Sequence, residues 1–172
     1  MGRTFAKICL HWTIPLASDC ERTLNPRMKL LRWELWSNRS NTVSRDAAHN
    51  VRMEVVNVTR ATVLASKLEV ANTGAKRNKG LLGREGLSAG EGLWIVPCES
   101  VHTFFMKFAI DLVYLDCKHR VRKVRSNVVP WRISLCLSAH SILELPVGTV
   151  RETQTVAGDQ VQLAEASGQA AP

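Results

Sequence analysis

The sequence is short of several things that would declare a chemistry. Its five cysteines, Cys9, Cys20, Cys98, Cys117 and Cys136, are odd in number, share no recurring spacing and form no CxxC pair. That argues against a disulfide framework and against a zinc site, and reduced thiols in a cytoplasmic protein are the simpler reading. No stretch approaches the roughly 20 uninterrupted apolar residues of a membrane helix. There is no phosphate loop and no GxGxxG, no internal repeat and no βαβ rhythm, so neither nucleotide-binding signature is present. The five histidines are scattered, and His102 has no partner histidine at helical spacing. No metal and no cofactor are expected.

What is present is ordinary globular material with a basic excess. The 172 residues include 45% hydrophobic and 22% charged residues, enough for one domain with a core and an extension. The net charge is +8 and the isoelectric point about 9.7. Residues 1–52 hold nine Lys/Arg against four Asp/Glu, and residues 53–172 hold fourteen against eleven. Most of the excess therefore lies outside the part that reads as folded.

The opening "MGRTFAKICLHWTIPLASDC" faintly resembles an export signal, but His11 and Pro15 interrupt it and Asp19 stands where a small residue is needed before the cysteine. Cytoplasmic residence is the expectation. Residues 1–52 show no sustained period, and "SNRSNTVSRDAAHN" reads as loop. They are expected to be a poorly structured extension or an artefact of start assignment, since a start at Met53 leaves a complete domain. Residues 167–172 read as a disordered tail.

From residue 54 the pattern is strands. "EVVNVT" and "TVLASKLEVA" are rich in β-branched residues, and Leu93–Val96, His102–Phe108, Ile110–Asp116, Val121–Val128, Ile142–Leu145 and Gln160–Glu165 follow the same logic. One short helix is expected over about 74–83, capped by Asn72 or Thr73 and stopped by Gly83. Many short strands with one early helix predict a mainly β domain over residues 53–166, an antiparallel β-sandwich or small barrel.

The puzzle is the segment "GLWIVPCESVHTFFMKFAIDLVYLD", apolar throughout yet carrying Glu99, His102, Lys107 and Asp111. Ile110–Asp116 is apolar on both faces, which predicts a strand covered on both sides, with Asp111 a buried acid. Glu144 in "SILELP" is a second acid in an apolar strand. Buried carboxylates need donors, and the chain offers Arg77, Arg84, His102, Lys107 and Arg132. Arg77 and Arg84 are seven residues apart, about 10 Å along one helix face, from where two guanidinium groups could converge on one anion.

Each group also has a structural reading. The arginines suit a solvated helix face, the two acids suit ties between sheet and loops, and His102 suits a hydrogen-bonded core histidine. Cys98, His102 and Asp111 supply the residue types of a thiol nucleophile, base and orienter, without a recognised context around Cys98. The run "KHRVRKVR", Lys118–Arg125, could meet nucleic acid, yet it falls on a turn and strand where cations blunt a sheet edge, and it lacks interleaved aromatics.

Four blocks, "KRNKGLLGREGLSAGEGLWIVP", "HTFFMKFAIDLVYLD", "ILELPVGT" and "AGDQVQL", together resemble the bacterial and archaeal family called domain of unknown function 192, over about residues 54–166. The family's Arg-x-x-Gly-Leu-Met-x-Arg motif corresponds to Arg77, Gly80, Leu81, Leu82 and Arg84. Its aromatic-Met-Lys block and following Asp correspond to Phe105, Met106, Lys107 and Asp111, and its Leu-Glu-Leu and Gly-Asp to Leu143, Glu144, Leu145, Gly158 and Asp159. The resemblance implies a small, mainly β domain with a short helix after the first strands. Phe105 stands where the family commonly has Trp, "FAID" is shorter than its counterpart, and "CKHR" replaces an Asp-Gly turn. No established activity comes with it.

The leading expectation is a non-enzymatic domain binding a small anionic ligand or a protein through Arg77, Arg84, His102, Lys107, Asp111 and Glu144. The alternatives are an enzyme using Asp111 or Glu144 as acid or base with Arg77 or Arg84 on an anionic substrate, and nucleic-acid binding through Lys118–Arg125.

Overall fold

The computed structural model describes residues 53–165; the expectations for residues 1–52 and 167–172 lie outside them. In chain order the elements are β1 (Met53–Asn57), β2 (Thr62–Ala71), α1 (Gly74–Lys79), β3 (Glu91–Ile95), β4 (Ser100–His102), β5 (Ile110–Leu115), β6 (Val121–Val128), β7 (Ile133–Leu135), β8 (Ser141–Pro146), α2 (Thr149–Glu152) and β9 (Val161–Glu165). The mainly β architecture is as the sequence predicts.

Seven strands form one sheet in the order β6-β5-β8-β3-β2-β1-β9, and β4 pairs with β7 in a separate two-stranded sheet. Neighbours are antiparallel except β2 and β3, which run parallel. The connection carrying α1 supplies the crossover a parallel pair requires. The large sheet curls into a half-barrel, and a bridge between Arg120 and Gln160 joins its two edges at one end.

Strand alternation divides the core between the two faces of this sheet. Leu93, Ile95, Ile110, Leu112, Tyr114 and Ile142 lie in one cluster, together with Leu81, Val101 and Met106 from outside the large sheet. Val55, Leu64, Leu68, Val113, Leu115, Leu143 and Leu145 lie in the other, with Val150 of α2. All six residues of β5 are buried, so this strand is covered on both sides, as its two apolar faces predict. Gly92 of β3 is closely packed: a Cβ there would stand 3.0 Å from the Ala65 Cβ and 3.1 Å from Leu145.

Three local expectations need correction. The helix ends at Lys79, earlier than expected, because Gly80 adopts a positive φ of 47° and its N–H bonds back to Lys76 O. His102–Phe108 is not one strand: β4 stops at His102, Met106 N–H bonds to Thr103 O in a turn, and Phe105 holds φ 63°. The sequence reading also had no place for β7 and α2, each scarcely longer than one pattern repeat.

Candidate functional site

The six sequence-predicted residues do not form one cluster of mutual contacts. Arg77 sits on α1 and donates from Nη1 to Asn72 O at 2.8 Å and to Val96 O at 3.4 Å, holding the helix to the end of β3. Arg84 lies beyond α1, so the helical spacing that would align it with Arg77 does not operate. Its Nη2 pairs with the Glu69 carboxylate of β2. Lys107 pairs with Glu85. His102, on β4, stacks on Phe104 with ring centroids 5.0 Å apart.

Asp111 is fully buried on β5, and its carboxylate is a backbone clamp. Oδ1 accepts from Asn127 N–H at 2.8 Å, and Oδ2 accepts from Gly148 N–H and Val150 N–H, each at 3.0 Å. One side chain thus fixes the irregular end of β6, where Asn127 holds φ 51°, and the first turn of α2. The expectation that this acid fastens a loop to the sheet holds, though through amide donors and not an ion pair. Glu144 is fully buried on β8, opposite Leu93 on one side and Leu112 on the other, on the sheet face whose apolar cluster holds those two leucines.

A third buried acid matters more than its sequence context shows. Asp159, matched above only as half of a Gly-Asp pair, is 4% exposed. It accepts from Asn57 Nδ2 at 3.0 Å, Arg60 Nε at 3.2 Å and Val156 N–H at 3.0 Å. Burial alone would raise its pKa, but the Asn57, Val156 and Arg60 hydrogen bonds and the Arg60 charge outweigh burial and hold it below the ordinary value. The clamp ties the β1–β2 turn to the loop before β9.

Tyr114, the chain's single tyrosine, is wholly buried on β5. Burial pushes its phenol up to about 12, against an opposing contribution from the Ser134 hydroxyl. His119 packs edge-on against Trp94 with centroids 5.6 Å apart. Burial first, then the charge of His140, lowers its pKa, while Asp116 acts in the opposite direction.

The feature that sequence reasoning missed lies on the surface. Ile133 and Leu135 share the outer face of β7 and are 61% and 50% exposed, while Ser134 between them is buried. Trp131 before the strand is 56% exposed, and Leu137 after it is 70% exposed. Trp131 holds φ 65° and its indole contacts the Phe105 ring at 4.8 Å and the Phe104 ring at 5.7 Å between centroids.

Cations flank this ridge. Lys123 Nζ donates to Leu135 O at 2.8 Å. Arg125 follows on the same face of β6, since Lys123 and Arg125 oppose Tyr114 and Leu112. Arg132 bonds to Trp131 O at 3.1 Å. Among the described residues, ion pairs join Arg60 to Asp159, Arg84 to Glu69 and Lys107 to Glu85; no described carboxylate pairs with Lys123, Arg125 or Arg132. The sequence reading assigns no element to Trp-Arg-Ile-Ser-Leu, and only the fold shows that its apolar residues face outward.

Among the described residues no group of three or more His, Cys, Asp and Glu is placed to hold a metal ion, and no helix is long and apolar enough to cross a membrane. The described cysteines Cys98, Cys117 and Cys136 are not joined in disulfides.

The model of the DUF192 family, described as an uncharacterized ACR, matches residues 55–163. A UPF0127 protein of Thermococcus sibiricus is 29% identical over 113 residues, covering 62% of this chain and 72% of that protein. A UPF0127 protein of Pyrococcus abyssi is 30% identical over 115 residues, covering 63% of this chain and 95% of its own length. These curated relatives are archaeal. A crystal structure of a protein of unknown function from Novosphingobium aromaticivorans shares the fold at a TM-score of 0.57 and 20% identity, covering 72% of this chain and 94% of that one.

Proposed function

The chain belongs to the DUF192 family of uncharacterised proteins, and from that premise we propose that it is a non-enzymatic binding domain whose contact surface is the ridge formed by Trp131, Ile133, Leu135 and Leu137. The observation that carries this reading is the exposure of four large apolar side chains, each half or more open to solvent, on and beside one short strand. Contiguous exposed apolar surface with a polar rim is the mark of an interaction site, whereas scattered single residues are not.

Binding is favoured over catalysis by how Asp111 is used. Asp111 is committed to three backbone amides, so acid or base work by it would dismantle the clamp that holds α2. Arg84 and Lys107 each pair with a glutamate, which leaves the expected anion cradle divided between two separate ion pairs. The backbone at Trp131 adds support. A bulky residue at positive φ costs on the order of 1–3 kcal/mol and persists where the surroundings enforce it, commonly at functional positions.

The test uses an apolar anion, the dye anilinonaphthalene sulfonate, with the folded full-length chain. The ridge predicts enhanced dye fluorescence that falls in an Ile133→Thr/Leu135→Thr variant of unchanged circular dichroism. Equal enhancement in both proteins, or none in either, would overturn the surface reading.

A further inference from the structure

We infer that the ridge docks on an anionic phospholipid surface, a proposal that rests on the surface reading above and names its partner. Ile133, Leu135 and Leu137 are 50–70% exposed on and just beyond one short strand. A protein partner must bring a groove shaped to such a ridge. The interfacial region of a bilayer admits protruding apolar side chains without one.

Charge selects the kind of bilayer. Lys123 is bonded to the ridge strand at Leu135 O, Arg125 follows it on the same face of β6, Arg132 stands between Trp131 and Ile133 in the chain, and no described carboxylate pairs with them. Glu99 is the single acid in the two chain segments that carry β4 and β7, residues 98–103 and 129–140. Cations held beside an apolar contact are drawn to negatively charged lipid headgroups within a Debye length. Trp131, at one end of the ridge, is the residue type that settles at the headgroup level, its ring apolar and its N–H able to meet water or phosphate.

The aliphatic content separates this surface from a nucleic-acid platform. Bases stack on aromatic faces and on guanidinium planes, and Ile133, Leu135 and Leu137 offer neither. Their exposure costs solubility and is offset only where apolar chains receive them. Lys123 links the two parts: its hydrogen bond to Leu135 O ties the apolar strand to the basic one, which holds ridge and cationic strand side by side.

The experiment is co-sedimentation of the full-length chain with vesicles of equal parts phosphatidylglycerol and phosphatidylcholine, and with pure phosphatidylcholine vesicles. Residues 1–52 carry nine Lys/Arg of their own, so dependence on the ridge is decisive, not adsorption alone. The expected result is binding to the anionic vesicles and little to the neutral ones. That binding should weaken about tenfold in Ile133→Thr/Leu135→Thr and in Arg125→Gln/Arg132→Gln, both with melting temperatures near that of the parent. No binding to anionic vesicles, or binding undiminished in Ile133→Thr/Leu135→Thr, would overturn the proposal. If vesicle binding fails while dye binding still depends on the ridge, the lipid assignment falls, the surface reading stands and the partner is a protein.

Discussion

Lys123 donates from Nζ to the main-chain oxygen of Leu135 at 2.8 Å, joining the edge strand of the half-barrel to the small sheet that lies over it. Leu135 thereby sits with its side chain outward and its carbonyl bound to a cation. Lys123 also lies 5.7 Å from the centroid of the Tyr114 ring, so the same lysine covers the buried phenol and borders the ridge. Replacing Lys123 with Met keeps most of the stem packing and removes both interactions. The expected cost is about 1 kcal/mol of stability, read as a lowered denaturant midpoint at unchanged slope. An unchanged midpoint would show that the contact contributes nothing.

Asp111 should be the most sensitive polar position of the fold. Asp111→Ala leaves three amide donors, one buried and two partly buried, without their acceptor, and the expected loss is roughly 3–5 kcal/mol. Asp111→Asn keeps one oxygen but turns an N–H₂ group toward amide donors, and should cost roughly 2–3 kcal/mol. Thermal unfolding checks both, with the Ala variant melting lower than the Asn variant. Equal, small shifts would remove the clamp from the account.

Because Tyr114 is the chain's only tyrosine, its titration can be followed in near-ultraviolet absorbance without ambiguity. A phenol raised to about 12 by burial should ionise well above the usual range near 10. Tyr114→Phe should change stability by less than about 1 kcal/mol, since among the described residues the buried hydroxyl has no hydrogen-bond partner of good geometry. Ionisation at the ordinary value in the folded protein would mean that water reaches the ring.

The pH dependence of stability has two components of the same sign. His119 is lowered when folded, so the folded state favours its neutral form; its contribution is present above the ordinary histidine value of 6.5 and is lost as pH falls through the depressed folded value. Asp159 is also lowered; its contribution is present above the ordinary value of 3.8 and is lost as pH falls through a still lower folded value. Stability should therefore decline in two steps on acidification, a mild one below pH 6.5 absent in His119→Gln and a later one absent in Asp159→Asn. A single step unaffected by either substitution would contradict the assignment.

Much of the fold was legible because its strands carry their own boundaries. β2 and β6 match the sequence reading residue for residue, and Asp111 was recognisable as a buried acid from the apolar residues on both faces of its strand. Its donors were not, since Asn127 and Val150 are 16 and 39 residues away and amide groups leave no mark in the sequence. β7 was missed because three residues are too few for their alternation to stand out, and the break after His102 was missed because Phe105 takes a backbone conformation normally signalled by glycine. The ridge was unreadable for a different reason. Alternation places Ile133 and Leu135 on one face, but which face meets the core is decided by the strands beneath.

The β7 ridge is proposed as the place where this protein meets another molecule. A photo-crosslinking amino acid at Leu137, 70% exposed, with a matched placement at the exposed Glu152 of α2 as the control, tests this in the cell. Adducts to lipid or protein at position 137 that are absent at position 152 are the predicted result. Equal yields at the two positions, or none at position 137, would contradict it.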